Sequence, residues 1–170
     1  MVTPGTAKPI GQIGTTPLLD DRLLPHFAAT INKVGKGAVT YIPCSLFWDF
    51  ERNRYPLTRV FVGEIVRMLT GRFDISVKAP ICVDVALRKK GRRKIVHLVN
   101  RASGIPNQPN NGAVDEIPRV GPIIITMKAD DEPRKVDLAF EKGEIAWEYG
   151  SGKLTITVPA VHIHAAVVVE

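Results

Sequence analysis

Val161-His162-Ile163-His164-Ala165-Ala166-Val167-Val168-Val169-Glu170 is the stretch that decides the fold. Val161, Ile163, Ala165, Val167 and Val169 recur at every second position. Successive side chains of a strand point to opposite faces, so this spacing predicts a strand over 161–169 with one apolar side. Working back along the chain, the same period predicts strands over 153–158, 145–149, 135–140, 123–128 and 95–100. It also predicts one over 81–88, where Ile81, Val83, Val85 and Leu87 alternate with Cys82, Asp84, Ala86 and Arg88. Glu141-Lys142-Gly143-Glu144 and Gly150-Ser151-Gly152 read as tight turns. Seven short strands at this spacing predict an antiparallel β-sandwich over residues 73–170. A chain that closes on so well patterned a strand is expected to be the carboxy-terminal accessory domain of something larger.

Upstream of 71–75 the period changes. Leu57, Val60, Phe61, Ile65, Met68 and Leu69 fall on one face of a 3.6-residue repeat, which predicts a helix, and Gly71 lies where a helix-capping glycine belongs. Residues 26–34 and 38–43 read as a hairpin turned by Gly35-Lys36-Gly37. Residues 1–25, punctuated by Pro4, Pro9, Pro17 and Pro25, read as irregular with a short helical turn at 18–24. Residues 45–56 read as a loop rich in aromatics. The expected class is therefore α+β. A small α/β remnant over 1–72, a β-hairpin plus one amphipathic helix, packs on a carboxy-terminal antiparallel β-sandwich over 73–170. About 70 residues make a thin core, so the apolar helix face needs a cover, from the sandwich or from a second copy of the chain. A homo-oligomer is the expectation.

Composition excludes several classes. The chain has 170 residues, 45% hydrophobic and 24% charged, with a net charge of +6. These are ordinary values for a globular protein, with an excess of positive charge that raises the question of nucleic acid. That excess gathers in Lys89-Lys90-Gly91-Arg92-Arg93-Lys94, five cations in one turn with no aromatic among them. Nucleic-acid binding asks for charge spread over a face with stacking rings, so a solvated turn is the reading and no nucleic-acid partner is expected. No apolar run reaches membrane-span length, and no membrane partner is expected. The opening residues lack the continuous apolar core of a signal peptide, which points to the cytoplasm. Cys44 and Cys82 have no paired spacing and read as free buried thiols. No phosphate-binding, dinucleotide, nucleophile-elbow or HExxH motif occurs, and no cofactor is expected.

Three segments carry a resemblance. They are Val96-His97-Leu98-Val99-Asn100, Ile117-Pro118-Arg119-Val120-Gly121-Pro122 and Val158-Pro159-Ala160-Val161-His162-Ile163-His164, with Trp147 before a glycine turn. Their order is similar to that in the last domain of multidomain glycoside hydrolases, β-galactosidase-like and fucosidase-like. Those proteins combine a TIM barrel, an amidotransferase-like trimerisation domain and a carboxy-terminal β-sandwich. Gly35-Lys36-Gly37-Ala38-Val39-Thr40-Tyr41-Ile42-Pro43, followed by a helix carrying Arg59, resembles the end of the trimerisation domain. The resemblance runs from about residue 28 onward. The catalytic barrel and its carboxylates have no counterpart here, so what the resemblance implies is an accessory and oligomerisation role, with carbohydrate as the associated ligand class. The alternative is a small, unorthodox glycoside hydrolase whose active site is assembled from loop carboxylates, with a subunit interface as one location.

Hydrolysis of a glycosidic bond needs two carboxylates about 5–10 Å apart across one substrate. Asp49 and Glu51 are the leading pair, because Trp48 and Tyr55 offer stacking faces and Arg52 and Arg54 offer donors to sugar hydroxyls. Asp115, Glu116, Glu141, Glu144 and Glu148 are further carboxylates. The blander reading is solvated charge, with the aromatics filling the contact between the two halves. His162 and His164 share one face of a strand in an i, i+2 arrangement, and with His97 as a third ligand they would hold a metal. No cysteine or carboxylate stands at ligand spacing, so no metal is expected and the pair reads as outward-facing.

Overall fold

The computed structural model describes residues 5–14, 22–102 and 116–170. The chain falls into two units, Met1–Arg72 and Phe73–Glu170, and the class is α+β.

The first unit holds a three-stranded antiparallel sheet, β1 (Lys8–Gly14), β2 (Leu23–Val34) and β3 (Gly37–Tyr41), in the order β1-β2-β3. The expected hairpin is β2–β3, and Gly35 takes the positive φ of its turn. β1 lies where an irregular leader was expected. Its alternation is broken by Gly11 at φ 58° and by a register shift between Gln12 and Gly14, and Pro9 is tolerated because β1 is an edge strand. The helical turn expected at 18–24 falls mostly outside the described residues, and Leu23 and Leu24 open β2.

Two helices follow, α1 (Leu46–Asn53) and α2 (Pro56–Thr70). α1 replaces the expected aromatic loop. Leu46, Phe47 and Phe50 have helical spacing, and Pro56 separates the two helices by starting the second, where its missing N–H is one that a first turn leaves unpaired. α2 lies against β3 and ends as expected at Gly71, whose N–H donates to the Arg67 carbonyl. Its buried face is rotated from the predicted one. Thr58 and Ile65 are buried and Phe61 and Val62 half-buried, while Leu57, Val60 and Met68 are exposed. A sheet of three strands covers only one narrow stripe of a helix.

The second unit is a β-sandwich. One sheet has the order β4-β7-β10-β9, from β4 (Ile75–Lys78), β7 (Ile123–Lys128), β9 (Ala146–Gly150) and β10 (Lys153–Val158). The other has the order β5-β6-β11-β8, from β5 (Val83–Lys90), β6 (Arg93–Asn100), β8 (Val136–Ala139) and β11 (His164–Val169). All pairings are antiparallel. The core is the alternate residues of the two inner faces: Ile123, Ile125, Leu154, Ile156 and Val158 from one sheet, Val96, Leu98, Ala165, Val167 and Val169 from the other. β4 is an addition to the seven expected strands.

Local departures from the alternation occur at several points. The last strand begins at His164, because the chain bends at 162–163 and Val161 instead bridges to Val120. Val161 is buried as expected, but Ile163 is 53% exposed. Residues 140–145 do not form a hairpin turn. β8 pairs with β11 in one sheet and β9 with β10 in the other, so this segment crosses between sheets. Ile81 sits in a turn before β5 and is exposed, and Val85 and Leu87 are exposed on that edge strand. Both cysteines are free thiols, Cys82 half-buried and Cys44 exposed rather than buried. Among the described residues, no helix is long and apolar enough to cross a membrane.

Candidate functional site

The residues singled out in the first unit lie on and beside α1. Trp48 is 62% exposed, and no residue of α1 is buried. The Arg52 guanidinium lies over the Trp48 ring at 4.1 Å. Asp49 and Glu51 are two residues apart on a helix, so their side chains project about 200° apart around the axis. Asp49 accepts a hydrogen bond from Asn53 Nδ2 at 2.5 Å, and Glu51 pairs with Arg54 at 3.0 Å. Arg54 is the left-handed residue that ends α1, and Tyr55 precedes the first turn of α2. Trp48 and Arg52 are thus brought together, whereas Asp49 and Glu51 are directed apart and each has its own partner. Trp48→Ala is expected to cost about 0.5–1 kcal/mol of stability, the scale of an exposed cation–π contact, as read by urea denaturation.

The second unit gathers functional groups more closely. The three segments of the resemblance meet at one end of the sandwich, and Asn100 joins them. Its side-chain amide donates to the carbonyls of Pro118 at 2.8 Å and His162 at 2.6 Å, and its carbonyl accepts from the Ala102 N–H at 2.8 Å. The Val120–Val161 bridge runs alongside, with backbone hydrogen bonds of 2.9 and 2.8 Å. Arg119, next to the tethered Pro118, and His162, tethered through its own carbonyl, are thereby both held against the crossover segment.

Arg119, Phe140, Glu141, Lys142, His162 and His164 line a cavity of about 500 Å³ there. Glu141 is only 11% exposed at its side chain. It accepts from Arg119 Nη2 at 2.9 Å on one oxygen and from the His162 backbone N–H at 2.5 Å on the other. Phe140 leaves β8 at φ 71°, a left-handed conformation that costs a bulky residue about 1–3 kcal/mol. Its ring is 75% exposed and stacks on His164, centroid to centroid at 4.7 Å. His164 Nε2 in turn lies 3.0 Å from His97 Nδ1, and the two imidazoles are nearly parallel. Three rings thus form a row across β6, β11 and the crossover.

Of the histidine trio, His97 and His164 meet, while the bend at 162–163 takes His162 out of the strand. Among the described residues no group of three or more His, Cys, Asp or Glu is placed to hold a metal ion. Glu116 lies away from the cavity lining, and Asp115 falls outside the described residues.

No family model matches the chain. No curated protein matches it either. A solved structure does. The fold is similar to that of α-L-fucosidase isoenzyme 2 from Paenibacillus thiaminolyticus, with a TM-score of 0.63 and 19% identity. The match covers 96% of this chain and 26% of the fucosidase, so the chain spans about a quarter of that neighbour's length. At this identity the likeness is one of fold.

Arg119, Phe140 and Lys142 were not singled out as site residues by sequence reasoning. Arg119 lay inside a segment of the resemblance, and Phe140 and Lys142 stood at the end of a strand and in a supposed turn. The signal open to the sequence is slight: Phe140, an aromatic, stands directly before the polar run Glu141-Lys142-Gly143-Glu144.

Proposed function

We propose that this chain is a non-catalytic accessory and oligomerisation module derived from a glycoside hydrolase and associated with carbohydrate. The observation that carries this reading is the fold likeness, in which nearly all of this chain corresponds to about a quarter of an α-L-fucosidase. In this reading residues 1–72 are the remainder of an amidotransferase-like domain and residues 73–170 the carboxy-terminal sandwich. The carboxylates support binding over hydrolysis. Asp49 and Glu51 diverge on a helix, and Glu141, the carboxylate lining the cavity among the described residues, has both oxygens engaged. A general acid facing a nucleophile across one bond is a different arrangement.

The exposed side of α2 supports the oligomerisation part of this reading. Leu57, Val60 and Met68 lie on one stripe, and covering them would recover the burial a small unit lacks. Light scattering at micromolar concentration is expected to give a dimer or larger, and Val60→Glu with Met68→Glu is expected to give a folded monomer. A monomeric parent chain refutes the oligomerisation role. Release of p-nitrophenol from a panel of aryl glycosides tests the catalytic side. None is expected, and turnover by the purified chain would replace this reading with the small-hydrolase alternative.

A further inference from the structure

We propose that the Phe140 cavity is a saccharide site whose ligand is an acidic pyranose, a sugar ring bearing a carboxylate. The inference rests on the carbohydrate-associated reading and adds to it a location and a ligand class.

The Phe140 ring supplies the apolar half of such a site. One of its faces rests on His164, which is itself fixed against His97, and the ring is otherwise largely open. A ring held from behind in one orientation can receive the C–H face of a sugar with little further ordering. Its backbone stands in the left-handed region, where glycine or asparagine would be easier to accommodate. Nothing in the packing of the sandwich demands a phenylalanine there, since the side chain is exposed. Strain kept at an exposed aromatic is the pattern of a binding position.

The polar half selects the charge. Glu141, the carboxylate among the described lining residues, already accepts from Arg119 and from the His162 N–H. Arg119 spends one terminal nitrogen on that carboxylate and is otherwise exposed, and Lys142 is exposed and free of ion pairs among the described residues. Arginine and lysine donate hydrogen bonds and cannot accept them. A neutral sugar presents hydroxyls, each of which also brings a proton to place. A carboxylate presents acceptors alone, and a guanidinium with a neighbouring ammonium suits it. The surplus charge of the lining, two cations against one engaged carboxylate, has the same sign preference. The volume of about 500 Å³ accommodates a monosaccharide or disaccharide.

The test is calorimetric titration of the full chain with methyl β-glucuronide, methyl β-galactoside and acetate. The uronate is expected to bind at least about tenfold more tightly than either of the others. Phe140→Gly is expected to weaken uronate binding about tenfold while the melting temperature stays level or rises, because glycine relieves the φ. Lys142→Gln is expected to lower uronate affinity several-fold and so narrow its margin over the galactoside. A galactoside that binds as tightly as the uronate overturns the inference and leaves the carbohydrate-associated reading standing. No saccharide binding overturns both. Acetate equal to the uronate makes this an anion site without sugar recognition and overturns the inference. Unchanged affinity in a folded Phe140→Gly overturns the location.

Discussion

Asn100→Ala is expected to destabilise the second unit by about 2–4 kcal/mol, measured by urea denaturation, and to weaken any ligand of the cavity although Asn100 does not line it. The side chain is nearly fully buried and serves three backbone groups from three segments. Alanine leaves the Pro118 and His162 carbonyls without their donor, and each such group costs about 1–3 kcal/mol when water cannot reach it. Arg119 follows the Pro118 carbonyl and His162 carries the other, so the spacing of the two residues across Glu141 loosens as well. Asn100→Asp is expected to be worse than alanine at neutral pH, because an ionised carboxylate would face two carbonyl oxygens with nothing to donate. A variant as stable as the parent, with ligand handling intact, would show the joint to be dispensable.

Gly121→Ala is expected to cost about 3 kcal/mol or more by overpacking. A methyl group at this position would lie 2.1 Å from the Pro159 carbonyl oxygen and 2.8 Å from the Ala160 Cα. Both are backbone atoms, and the Val120–Val161 bridge beside them holds the two segments together, so neither can turn aside as a side chain would. Gly150→Ala is the control. It sits on edge strand β9 with open space around the new methyl, and a change within about 0.5 kcal/mol is expected. Equal melting temperatures for the two variants would mean that the close approach at Gly121 yields easily.

The sandwich was legible because its strands obey the period of two almost everywhere. The bounds of β7 and β10 fall where the alternation placed them, at Ile123–Lys128 and Lys153–Val158. Departures occur where a local device interrupts the period. Gly11 and a register shift hide β1, and the bend at 162–163 separates Val161 from the strand it patterned with. α1 had helical spacing at Leu46, Phe47 and Phe50, but a run of aromatics ending at Pro56 reads equally well as a loop. The cavity was legible only in part. Glu141, His162 and His164 each stood out by chemistry, yet their association depends on which sheet β8 and β9 join. Alternation along a strand carries no information about that choice, which the pairings of β8 with β11 and β9 with β10 determine.

The pairing of β6 with β11 bears on how the chain is made. Val96 and Leu98 lie opposite Val167 and Ala165, some 70 residues later in the order of synthesis. On the ribosome the β5–β6 hairpin therefore exists for a time with its apolar side bare and one edge unpaired, a state open to pairing with other nascent chains. Lys89, Lys90, Arg92, Arg93 and Lys94 stand at the tip of that hairpin. Their mutual repulsion between copies opposes edge-to-edge association during the interval, so the densest positive charge in the sequence acts as a safeguard for the incomplete protein, at the strand that waits longest for its neighbour.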